Sequence, residues 1–375
     1  MKFEIKKEVL VTSMNKVVGV ASLSKFIPIL NGIYISVADD GITLIGSNGD
    51  ISIKTLIPKV LNDETIINDI EVGSIVVQAK IFNDIIKKLP SKSVSISVDA
   101  ENHIFVKSGK SKFNLNGLDS TEYPKLPNVS DETSFDIPSN ELKDVIKETV
   151  ISVANTETRP ILNGVNIQSA NNSLKFIATD SHRLSQRIIQ VSEVSELESI
   201  TVPGRSLLEL NKILDGTNTP VKVCFGNNQV LFIANETYLY SRILEGNFPD
   251  VSRLIPDSST TKIRASKKEI LDTIERASLL SKEKGVIKFS VNGGLMAEIS
   301  SNTAEIGNLK EELVMLDFEG DDIILSFSAA YAMDGLKAIS QDEVLLNFNG
   351  NSRPFVITPT EDESNLQLIL PIRTI

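Results

Sequence analysis

The chain has 375 residues, enough for two or three domains with cores of their own, and its 41% hydrophobic and 23% charged residues are ordinary for a folded protein. A net charge of −11 excludes a surface that is basic all over, and two histidines with one cysteine leave little for a zinc site. No apolar run reaches the length of a membrane span and no secretion signal is evident, so a cytoplasmic location is expected, with Cys224 in a strand pattern and without an intrachain disulfide.

The elements repeat in chain order. "KKEVLVTSMNKVVGVAS" predicts a first amphipathic helix, and "IPILNGIYISVADDGITLIGSNGDISIKTLIP" from Ile27 predicts strands with turns at "DDG" and "SNGD". "KIFNDIIKKLPSKSVSISVDAENHIFVKSG" then gives a shorter helix, with Ile81, Ile85 and Leu89 on one face, and paired strands. A second pass follows. "PSNELKDVIKETVISVA" is a helix, "RPILNGVNIQSANNSLKFIATDSHRLSQRII" a strand run, and "GRSLLELNKILDGTNTPVKVCFGNNQVLFIA" a helix with Leu207, Leu210 and Leu214 before further strands. The third pass, "SKKEILDTIERASLLSKEKGVIKFSVNGGLMAEIS" and "SAAYAMDGLKAISQDEVLLNFNGNSRPFVIT", keeps the order but lacks the "PILNG" box.

That box stands at 28–32 and 160–164, 132 residues apart, and "EYPKLP" at 122–127 is echoed by "NFPDVSRLIP" at 247–256. The expected architecture is α+β, three repeated domains at 1–127, 128–256 and 257–375, each with two helices and antiparallel sheets. Their net charges are +1, −5 and −7, so a near-neutral head precedes an acidic tail. Repeats of this kind build extended or closed surfaces, by one chain or by head-to-tail association.

"FIATDSHRLSQR" at 176–187 holds His182 between Asp180 and Arg183. On residue types alone it could be a general base, a metal ligand or neither. A repeat-built protein scaffold and a hydrolase using Asp180, His182 and a remote nucleophile both stay open. Neither GxGxxG nor GxxxxGK[ST] occurs, so no nucleotide cofactor is implied.

With "MKFEIKKEVL", "IPILNG", "RPILNG", "ATDSHRLS", "NFPDVSRLIP", "RPFVITP" and "LILPIRTI" in this order, the chain resembles the bacterial sliding clamps, the beta subunits of DNA polymerase III, over its whole length. The resemblance implies a DNA-clamp fold and a head-to-tail homodimeric ring around double-stranded DNA, with helices lining the hole. It implies a non-catalytic processivity factor of the polymerase holoenzyme, without cofactor or metal. The implied partners are the replicative polymerase alpha subunit, the clamp loader, other DNA polymerases, and mismatch-repair and ligase-type proteins.

The resemblance also implies sites. A peptide-motif pocket would draw on Thr179, Ser181, His182, Arg183 and Leu184, on Pro249, Arg253 and Leu254, on Ser328, Tyr331 and Pro354, and on Ile369, Leu370, Pro371, Ile372 and Arg373. DNA-facing cations would include Lys25, Lys80, Lys87, Lys147, Arg159, Arg205, Lys212 and Lys267. The subunit interface would set Phe113 and Leu115, with Lys107, Lys110 and Lys112, against Leu279 and Leu280, with Glu305, Glu311 and Glu312. Three departures stand out: Ser181 where many relatives have glycine, Lys25 one place beyond a common arginine position, and the longer ending with Thr374 and Ile375.

Overall fold

The computed structural model describes residues 1–373 except 22–26, 130–133, 157, 192–198, 227, 282–284 and 304–305. Six α-helices lie among the described residues: α1 (Lys7–Ala21), α2 (Ala79–Lys88), α3 (Ser139–Val150), α4 (Gly204–Ile213), α5 (Lys267–Ser278) and α6 (Ala329–Lys337). Their spans fall where the apolar spacing places them, but on α2 the expected Ile81 is exposed, and Phe82 and Ile86 take the buried face with Leu89. Two begin at serine caps, Ser266 accepting from the Glu269 amide and Ser328 from that of Tyr331.

The chain forms two compact units, Met1–Leu142 with Arg205–Ile243, and Lys143–Gly204 with Leu244–Ile375. The first unit holds a five-stranded and an eight-stranded sheet, the second a nine-stranded and a four-stranded sheet, all antiparallel. All three cuts fall inside the middle third of the chain, because that stretch gives strands to a sheet of each unit. In the first unit α1 lies against the strand Gly41–Ser47 so closely that a Cβ on Gly46 would sit 2.3 Å from the Val17 carbonyl oxygen. In the second, Phe289, Phe348 and Phe355 stack in the core beneath α5 and α6, Phe348 and Phe355 at 5.2 Å.

Each of the two large sheets contains a seam between distant parts of the chain. In the first unit, strand Ile51–Pro58 pairs with Thr237–Arg242, with Thr55 opposite Thr237 and Ile53 opposite Leu239. In the second, Arg183–Gln190 pairs with Asn365–Ile369, with Arg187 opposite Asn365 and Ser185 opposite Gln367. Main-chain hydrogen bonds cross both seams.

A charged residue marks the end of each seam. Lys16, the tenth residue from Lys7 along α1, donates to Thr237 Oγ1 (3.0 Å), which lies 3.2 Å from Thr55 Oγ1. Burial lowers the pKa of its ammonium against the pull of Asp215 and Glu236. Glu148 holds the same place in α3. Its Oε2 is 3.3 Å from Arg187 Nε, and Arg187 Nη1 donates to Asp362 at 2.6 Å. Gln367 completes that seam, with its Nε2 bonding the Glu148 carbonyl (3.1 Å) and its Oε1 the Ser185 hydroxyl (2.6 Å). Arg276 holds the place in α5 and pairs with Glu311 on the strand Gly307–Val314. Among the described residues, that strand has no neighbour on its far side in the four-stranded sheet.

Candidate functional site

Residues 179–184 form a tight corner between two strands of the second unit. Asp180 Oδ1 accepts from the amides of His182 (2.9 Å) and Arg183 (3.1 Å), and its Oδ2 accepts from Arg183 Nε (3.0 Å). Thr179 closes the corner by donating Oγ1–H to the Arg183 carbonyl at 2.6 Å. The turn puts Ser181 at φ +76°, in the left-handed region that glycine occupies most easily. A glycine there would adopt this conformation without the steric cost that serine bears.

Both Asp180 oxygens accept bonds that shape the corner, and none of the hydrogen bonds among the described residues joins Asp180 to the His182 ring, as a hydrolase pairing would require. The His182 ring is exposed and stacks beside Tyr331 at a centroid distance of 6.4 Å. Among the described residues, no group of three or more His, Cys, Asp or Glu side chains could hold a metal ion.

Arg183 was expected in the pocket lining. Its Nη1 bonds Asp334 Oδ2 (2.6 Å), and its guanidinium covers the Tyr331 ring at 4.4 Å. It braces the wall by tying the corner to α6.

The floor beside this corner is a small apolar cluster of Ile177, Leu184, Val251, Val356 and Leu368, with Phe248, Ile255, Leu366 and Leu370 packed on it. Of the expected residues, Leu184 and Leu370 are in this cluster, while Pro249, Arg253 and Leu254 lie exposed on the segment that supplies Val251 and Ile255. Pro354, Pro371 and Ile372 are half-buried and Arg373 is exposed. The Leu370 amide bonds the His182 carbonyl (3.0 Å) and the Ile372 amide that of Ser326 (2.7 Å), which fixes the C-terminal run as a wall.

Two expectations need correction. Ile369 turns its side chain into the C-terminal core, because alternate strand residues face opposite sides, and Leu368 takes the place on the floor. Ser328 is buried as the cap of α6 rather than lining the surface. Leu366, Leu368 and Val356 were missed although their period-two spacing from Leu370 and Pro354 was visible in the sequence.

The expected DNA-facing cations have varied surroundings. Lys80 and Lys87 on α2 and Arg205 on α4 are exposed, as is Arg159 ahead of Pro160. Lys147 lies 3.4 Å from Asp144, and Lys212 lies 2.8 Å from Glu209. Lys267 has a structural bond: its ammonium holds the carbonyls of Ile339 (2.9 Å) and Ser340 (3.2 Å) just past α6, as Lys7 holds Leu89 past α2 (2.6 Å). Lys25 lies outside the described residues.

Two sheet edges carry the residues expected at the subunit interface. Strand Ser111–Asn116 ends the five-stranded sheet, with Phe113 and Leu115 on the face of buried Val106 and Ile104. Phe113 is 39% exposed there, and Lys107, Lys110 and Lys112 stand exposed around it. At the Gly307–Val314 edge, Leu279 is 76% exposed, Leu280 is half-buried and Glu312 is exposed, while Glu311 is held by Arg276. Glu305 lies outside the described residues.

Models of the DNA polymerase III beta subunit match this chain three times: the N-terminal domain at residues 1–127, the central domain at 136–250 and the C-terminal domain at 252–373. The beta sliding clamp of Bacillus subtilis is 44% identical over 378 residues, covering 100% of both chains. That of Staphylococcus aureus is 43% identical over 376 residues, again covering 100% of both. Among solved structures, the DNA polymerase sliding clamp of Bacillus subtilis superposes with a TM-score of 0.95 at 44% identity, covering 100% of both chains. The DNA polymerase III beta chain of Streptococcus pneumoniae does so with 0.94 at 35% identity and the same coverage.

Proposed function

Because the chain belongs to the bacterial DNA polymerase III beta-subunit family, the beta sliding clamps, we infer that it closes as a ring around double-stranded DNA. It is a sliding clamp that tethers the polymerase to DNA and confers processivity, and it catalyses no reaction. Its interactions are with DNA, the polymerase and the clamp loader. The finer partners are the polymerase alpha subunit, other DNA polymerases, and mismatch-repair and ligase-type proteins, all using the pocket beside His182. Among the described residues, no helix is long and apolar enough to cross a membrane.

The observation that carries the ring is the pair of internal seams. With domains at 1–127, 128–256 and 257–375, each seam joins one domain to the next through strand edges. Two of the sheet edges, Ser111–Asn116 and Gly307–Val314, repeat the same pair a third time and can meet between two chains. The internal registers set Ser111 opposite Glu311, Phe113 opposite Leu309 and Asn114 opposite Asn308 of a second copy. Phe113 and Leu115 then cover Leu279 and Leu280, and Lys110 comes to Glu312. Closing two such seams makes a ring of six domains.

Contacts inside such a ring must hold phosphate without gripping bases, and the exposed cations of α2, α3 and α4 suit that purpose. Rings loaded onto closed circular DNA should stay bound in salt that abolishes direct binding and should be lost once the circle is cut. Equal retention on cut and closed circles, measured by gel filtration, rules out encirclement.

The pocket has its own test. Substituting Pro371→Ala with Ile372→Ala removes apolar wall yet keeps the Ile372 main-chain bond to Ser326. The loss should cost about 1–3 kcal/mol of binding to a peptide of the glutamine–leucine–phenylalanine type. Calorimetry should read this as a roughly ten- to hundredfold weaker affinity. A change under about twofold in a folded protein puts the pocket elsewhere.

A further inference from the structure

On the sheet face that carries the pocket floor, an open groove of about 520 Å³ lies beyond it. We propose that this groove is a second subsite, which takes the extended residues flanking a docking motif whose anchor sits beside His182; the proposal rests on the pocket reading above.

Continuity is the first argument. Leu370, Leu368 and Leu366 share one face of their strand, and Pro354, Val356 and Thr358 follow the same alternation on the neighbouring one. Leu370 and Pro354 stand at the pocket, while Leu366, Val356 and Thr358 line the groove. Four strand residues span about 13 Å, a distance that four extended peptide residues cover. The segment after Leu254 continues the same way, since Ile255 packs on the pocket's floor cluster and also lines the groove. One apolar surface therefore serves both.

The lining defines the ligand. Leu345, Val356 and Leu366 offer an apolar floor for one aliphatic side chain. Asp257 and Glu363 on the walls outnumber Lys262, leaving a net negative site. The favoured occupant is an extended segment with an aliphatic residue next to a lysine or arginine.

The test uses the full-length protein and three peptides: the glutamine–leucine–phenylalanine core, and the core lengthened by four residues, including leucine and arginine, at either its N- or C-terminal end. One extension should tighten binding roughly fivefold, as expected for burying part of a leucine side chain. The gain should vanish in Asn347→Trp, which fills the groove from its half-buried strand face, and should shrink in Asp257→Lys, an exposed change that reverses the charge. The core peptide should bind wild type and both variants alike. The groove proposal is overturned if neither extension tightens binding, or if the gain survives both variants. Failure of the core peptide to bind wild type is a different result, and it overturns the pocket together with its extension.

Discussion

A Leu279→Ala, Leu280→Ala protein should be largely monomeric at concentrations where the parent is a dimer. Leu279 is 76% exposed in the single chain, and nothing in the second unit's core uses it. Its cost in the free protein is therefore small. In the proposed seam both leucines lie under Phe113 and Leu115 of the other copy. Losing two such contacts should weaken dimerisation by about 2–4 kcal/mol, or roughly 30- to 700-fold, in sedimentation equilibrium. An unchanged dimer population at submicromolar protein sinks the assignment of these leucines. The register can be read separately by pairing Asn114→Cys with Asn308→Cys, because Cys224 is buried and will not compete. Directly opposed residues in antiparallel strands are close enough for a disulfide, whereas a two-residue slip separates them too far. Absence of the cross-link under mild oxidation, with the dimer intact, places the seam in another register.

The second large effect depends on pH. Burial pushes the Glu148 carboxyl up to about 7 from its ordinary value of 4.5; Arg187 opposes this, and the neighbouring Asp144 and Asp362 reinforce it. The native state thus holds a proton that the unfolded chain gives up, so this group's contribution is full below pH 4.5 and lost as pH rises through 7. The shift is worth about 3 kcal/mol in all, of which about 2 kcal/mol falls between pH 5.5 and 8. Glu148→Gln should remove this slope while keeping the carbonyl that Gln367 binds. Urea denaturation of both proteins at the two pH values isolates the group, because other titrations cancel. If wild type and variant lose stability equally between pH 5.5 and 8, Glu148 is not the group responsible.

Little in "ELKDVIKETV" announces that behaviour. Glu148 reads there as one more polar residue of an amphipathic helix, and its burial depends on Arg187, Asp362 and Gln367 from distant segments. The six helices were legible because each pairs an apolar stripe with turn residues before its strands, and the repeat was legible because "PILNG" recurs. The corner at His182 was singled out as a candidate site through resemblance alone. Its mechanics were not legible, since Arg183 meets Asp334 across 151 residues of sequence. The misplacing of Ile369 has a simpler cause: a run of consecutive residues was assigned to one side of a strand that presents alternate residues to each.

Main-chain pairing is nearly blind to sequence, so an emerging chain with several strand edges can mate them wrongly. Here the charged rung acts as a proofreading mark. If Thr237–Arg242 docked on Arg183–Gln190, Arg187 would lose Asp362, and Ser185 would lose its bond to Gln367. A misassembled seam would bury an unrelieved charge, a penalty that main-chain bonds alone could not impose. Such residues favour the native pairing of edges over its rivals by charge as well as by shape.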